Sequence, residues 1–130
     1  MTTEAPESMG QLYVRAMESA GRYVNGVRPE QWHDATPCVE WDVRELVNHI
    51  TGENFWAAEL FNGKTMAEVG DRLDGDLLGE DPKATYNRSV ELARADALAL
   101  GAMVRTCHLS MGDVPGSEYA KQLFQDMLIH

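Results

Sequence analysis

Two cysteines, Cys38 and Cys107, are all the thiols in this sequence of 130 residues. They are too few for a disulfide framework, and they form no Cys-x-x-Cys pair for zinc or thiol redox work. Both are expected as reduced thiols. Positive charge is scarce as well: 11 Lys and Arg stand against 21 Asp and Glu, for a formal net charge of −10. That balance opposes binding to phosphate backbones, whose affinity comes from cationic side chains displacing counterions, so no nucleic-acid partner is expected. No run of about 18 apolar residues is present to cross a bilayer. Residues Met1 to Gly10 lack the basic start and apolar middle of a signal peptide. The expectation is one cytoplasmic domain spanning residues 1–130, with no membrane partner and enough chain to bury a core unaided.

The acidity gathers between Glu68 and Asp81, where Asp71, Asp74, Asp76, Glu80 and Asp81 sit among glycines and read as a solvated loop. An EF-hand counted from Asp71 would need glycine where Asp76 stands and glutamate where Pro82 stands, which excludes a calcium loop of that type.

Around that loop the apolar residues keep helical spacing. Met9, Leu12, Tyr13, Ala16, Met17, Ala20, Val24 and Val27 recur every third and fourth position, predicting a long amphipathic helix that ends near Asn25 to Pro29. A packed connection over Glu30 to Glu40 follows, with Trp32 as its anchor. A second helix should begin at Val43: Asp42 and Glu45 have the spacing of a capping box, and Trp41 and Leu46 that of a hydrophobic staple. It should run to about Phe61, where Asn62-Gly63 supplies a left-handed stop. Asp81 and Pro82 open a third helix whose Tyr86, Val90, Ala93, Ala97, Leu100 and Val104 are expected to face inward. Thr106 to Gly116 reads as a long connection, and Ser117 as the cap of a fourth helix through Tyr119, Leu123 and Met127. With no repeat and no useful β alternation, the fold class expected is all-α, a four-helix bundle.

Three side chains stand out chemically. Asp126 and His130 lie one turn apart on one side of the fourth helix, where two polar groups facing a core are costly unless paired or bound to an ion. Taken alone, the spacing favours an ordinary helix-surface ion pair. His49 sits at the edge of the apolar stripe of the second helix, and alone it reads as a structural histidine. If the two helices are neighbours, however, His49, Asp126 and His130 bring two imidazole nitrogens and one carboxylate oxygen to a single point, leaving positions open as catalytic metal sites do. Glu53, one turn beyond His49, reads first as a surface charge, with orientation of His49 as the alternative. Cys38 reads as a packed inert thiol, and Cys107 beside His108 carries little weight because adjacent residues seldom face each other. Phe55 and Trp56 read as core rather than as a cofactor platform.

At three segments the chain resembles a known family: TPCVEWDVRELVNHI from Thr36 to Ile50, HLSMGDVPGSEYA from His108 to Ala120, and QLFQDMLIH from Gln122 to His130. These are similar to the DinB-like proteins, in particular the actinobacterial group of mycothiol-dependent maleylpyruvate isomerase N-terminal domains. The resemblance implies a DinB-like four-helix bundle with a divalent metal held by His49, Asp126 and His130. A glutamate stands at the position of Asp126 in the characterised isomerase. Zinc is the first expectation and nickel or iron the alternatives, and mycothiol is implied as thiol cosubstrate. Family members usually continue past this histidine, so the expectation is a chain that ends early, at its last ligand.

The function expected is that of a metal-binding, thiol-dependent transferase or isomerase acting on a small electrophile, with the metal lowering the pKa of the bound thiol. Metal-assisted hydrolysis is the rival within enzymes. A helical interaction module without catalysis is the rival outside them, separable by metal analysis. A homodimer is one way to cover apolar residues left open by an early end.

Overall fold

A computed structural model describes residues 8–129, apart from 39 and 111. Helix α1 (Met9–Asn25) starts on a capping box, with the Ser8 hydroxyl accepting from the Gln11 amide and the Gln11 side chain reaching back. A 3-10 turn at Pro29–Gln31 leads through the connection, and Trp32 is half-buried there against the core, as its anchoring role requires. Helix α2 (Val43–Phe61) begins on the expected Asp42/Glu45 capping box. It stops at Asn62, followed by Gly63 with φ of +89°. A short α3 (Met66–Val69) follows. Helix α4 (Pro82–Ala97) starts with the Asp81 carboxylate accepting from the Ala84 amide. Strands β1 (Thr106–Leu109) and β2 (Gly112–Pro115) pair antiparallel before α5 (Gly116–Ile129).

The four long helices form the bundle. α2 packs along α4, α1 lies against both α4 and α5, and α2 and α5 meet over a narrow contact. Tyr13, Met17, Ala57, Phe61, Ala93, Ala120 and Leu123 fill the larger core, and Val24, Val47, Ile50, Leu78 and Tyr86 a second one beside it.

Inside this apolar filling runs a chain of neutral hydrogen bonds. The Tyr13 hydroxyl donates to Asn54 Oδ1 at 2.8 Å, Asn54 Nδ2 donates to Ser89 Oγ at 3.2 Å, and Ser89 Oγ donates to the Tyr86 carbonyl at 2.6 Å. The Tyr86 hydroxyl in turn donates to the Met17 carbonyl at 2.7 Å. Burial without partners would cost each of these groups about 1–3 kcal/mol. The satisfied chain therefore fixes the rotation of α2 relative to α1 and α4. Its chemical consequence is that the His49 and Glu53 face of α2 is held in one direction.

Three sequence expectations are corrected. The inward stripe of the third predicted helix ends at Ala97: Leu100 is 99% and Val104 82% exposed. Gly101, at φ +80°, turns the chain there, and its carbonyl accepts from both Val104 and Arg105. The connection from Thr106 to Gly116 is a β-hairpin, too short for its alternation to register in the sequence. Helix α5 starts at Gly116, and the Ser117 amide donates to the Met103 carbonyl at 2.8 Å, so tertiary contact takes the place of the expected serine cap. Gly116 is required by close approach, since a Cβ there would lie 1.9 Å from the Ala102 oxygen.

The acidic loop is tied down more firmly than a solvated loop need be. Asn48 bonds the Gly75 carbonyl and the Leu77 amide, Arg44 pairs with Asp76 at 3.0 Å, and Leu78 is buried. No helix among the described residues is long and apolar enough to cross a membrane.

Candidate metal centre

Positions i and i+4 of a helix stack on one face, so α2 presents His49 and Glu53 together. The capping box fixes where the helix begins and the Asn54 bridge fixes its rotation. On the far side of the narrow α2–α5 contact, α5 presents Asp126. His49 Nε2 lies 2.5 Å from Glu53 Oε1 and 3.9 Å from Asp126 Oδ2. One donor atom from each of the three residues falls within 4.8 Å of the others. The side chains are half-buried, and the Trp41 ring covers His49 with centroids 4.6 Å apart and planes inclined at 32°.

The electrostatics are those of a crowded anionic pair beside an imidazole. Burial pushes the Glu53 carboxyl up to about 7; the His49 bond opposes that shift, and the contact with Asp126 adds to it. His49 is raised, first by its hydrogen bond to Glu53 and then, against the cost of burial, by the charges of Glu53 and Asp126. Two carboxylates and an imidazole at such range need either a shared proton or a cation. A donor set of one nitrogen and two anionic oxygens suits a divalent ion of borderline hardness.

Two of the three residues expected from the sequence, His49 and Asp126, are thus brought together. His130 lies outside the described residues. Glu53, expected first as a surface charge, belongs to the cluster. The signal available for it was the His-x-x-x-Glu spacing on the face that carries His49.

A cleft of about 430 Å³ opens beside the cluster. Glu53 and Asp126 stand at its edge, and Trp56, Leu60, Leu109, Tyr119 and Leu123 are among its walls. Trp56, expected as core alone, lines this cleft as well as packing on the core. The cysteines take no part in the cluster. Cys107 is buried in β1, where burial raises its thiol pKa. Strand alternation sends Cys107 and His108 to opposite sides, and His108 Nδ1 lies 2.9 Å from Asp113.

Comparison with known proteins gives a consistent picture. The family model described as the mycothiol maleylpyruvate isomerase N-terminal domain matches residues 13–130. Uncharacterised proteins of Mycobacterium tuberculosis, from strains CDC 1551 and H37Rv, are each 29% identical over 120 residues, covering 89% of this chain. The chain spans 59% of the length of these curated relatives. No solved structure matches the chain significantly.

Proposed function

The chain belongs to the mycothiol maleylpyruvate isomerase N-terminal domain family, and from that premise we propose that it binds one divalent metal and catalyses thiol-dependent transfer or isomerisation of a small electrophile. The observation that carries this reading is the convergence of His49, Glu53 and Asp126 at the edge of an open cleft. His49 Nε2 and Asp126 Oδ2 would hold the ion, with His130, the fourth residue after Asp126 in the sequence, as a further ligand. Zinc is the first candidate, and nickel and iron(II) suit the same donors. When bound, such an ion supplies a Lewis-acidic centre that depresses the pKa of a coordinated thiol.

The chain's own residues supply the rest. Glu53 lines the cleft and its Oε1 lies against His49 Nε2, so its carboxylate can accept the proton released by His49 Nε2 or by an incoming thiol. Trp41 stacks on His49 and restrains its ring. Leu60 and Leu123 give the cleft apolar walls against which the carbon skeleton of a small electrophile could pack. Mycothiol is the thiol the family description points to.

The test is mycothiol-dependent consumption of a small electrophile by protein carrying one equivalent of zinc, with free mycothiol followed in parallel to separate transfer from isomerisation, compared with Asp126→Asn. The reading expects zinc-dependent consumption that the variant loses by about 100-fold or more. Turnover of substrate without thiol would support hydrolysis instead, and zinc-independent thiol loss would refute the reading.

A further inference from the structure

The cleft beside the cluster has a distinctive charge balance. Its 430 Å³ lies within the range of small-molecule sites, roughly 300–1,000 Å³. Its walls are aromatic and aliphatic, with Ser110 and Gln122 as neutral polar groups. Among the described residues that line it, the only charged side chains are Glu53 and Asp126, both acidic; no lysine or arginine does so.

A divalent ion does not reverse this balance. With Glu53 and Asp126 ionised and His49 neutral, two positive charges bring the cluster only to neutrality. The whole chain meanwhile carries a formal charge of −10, which repels anions at longer range. A site that takes a dicarboxylate ordinarily offers it arginine, lysine or an excess of positive charge, because a desolvated anion without a partner is costly.

The geometry points to an uncharged, largely apolar or aromatic electrophile as the substrate class of this cleft, with dianionic substrates disfavoured. This inference rests on the thiol-transfer reading for the word electrophile, but the charge preference itself does not depend on metal or thiol. Trp56 and Tyr119 offer rings to an aromatic ligand, and Leu60, Leu109 and Leu123 offer the apolar area that would hold it.

The test uses dimethyl phthalate and phthalate, which share one ring and differ in charge. Each is titrated into the full chain with and without one equivalent of zinc and followed by NMR shifts of assigned residues. The expected result is that the diester shifts the Trp56 indole and the Leu123 methyls and binds more tightly than the dianion by about tenfold or more. In Ser110→Lys, which adds a cation at an exposed position on the rim, that preference should shrink. Phthalate binding as tightly as the diester in the wild-type chain would overturn the inference. So would diester shifts confined to the separate groove between α1 and α2 lined by Ala20, Val24 and Val47. Failure of zinc to bind would refute the metal reading while leaving the charge preference measurable in the metal-free protein.

Discussion

Glu53 and Asn54 are consecutive residues of α2, and their surroundings differ in almost every respect. Asn54 is fully buried and bonded through both its amide oxygen and its amide nitrogen to neutral partners. Glu53 is half-buried beside a second carboxylate and within hydrogen-bond reach of an imidazole. Neutral polar groups satisfied by their own neighbours fix the packing of helices. Charged groups crowded at the edge of a cleft, with mutually shifted pKa values, mark a candidate functional site. One helix therefore carries a structural pin on one face and a candidate reactive centre on the next.

That contrast can be broken first at the pin. Asn54→Leu removes the middle of the bridge and leaves the Tyr13 hydroxyl buried without its acceptor, so urea unfolding should show a loss of about 3 kcal/mol. Zinc affinity of the folded variant should fall by about tenfold or less, because the bridge orients the His49 and Glu53 face but supplies no ligand. A large fall in affinity with little loss of stability would erase the distinction between the two clusters.

The pH response sharpens the comparison with a smaller effect. Glu53 and His49 both have folded-state values raised above their ordinary ones, Glu53 to about 7. Protonation therefore favours the metal-free fold, and this contribution is lost as pH rises from about 5 to 8. The melting temperature of metal-free protein should fall over that window by the equivalent of about 1 kcal/mol, after allowance for solvent screening. A bound metal must displace the same protons, so the stabilisation added by zinc should grow over the same window. The bridge, having no group that titrates there, should contribute nothing to either trend. Trp41→Leu gives the smallest effect. Loss of the ring over His49 should weaken zinc binding by about two- to threefold, near 0.5 kcal/mol, and calorimetric titration would resolve it.

Most of the bundle was legible in the sequence because its signals are local. The Asp42/Glu45 box, the Asn62-Gly63 stop and the Asp81-Pro82 start all act within one turn of chain, and all three appear where expected. Leu100 and Val104 misled because they continue the helical period by chance beyond Ala97, where Gly101 turns the backbone. The β-hairpin and the start of α5 depend on tertiary contacts, such as Gly116 against Ala102, that no local pattern encodes. At the site, His49 and Asp126 could be paired only through a family resemblance, since they lie on different helices. Glu53 was underrated because an exposed glutamate and a buried one look identical in a sequence until the opposing helix is placed. The Asn54 bridge went unread for the same reason.

The central claim, that His49 and Asp126 hold a divalent ion with Glu53 as proton acceptor beside them, is tested most directly by zinc binding to the full chain and to His49→Ala, read by mass spectrometry of bound metal and by competition titration. The account predicts one equivalent bound by the wild-type chain and an affinity lower by about 100-fold in the variant, roughly 2.8 kcal/mol, with a smaller loss of metal-free stability, about 1 kcal/mol, from the missing His49–Glu53 contact. A full equivalent retained by His49→Ala at unchanged affinity would contradict it.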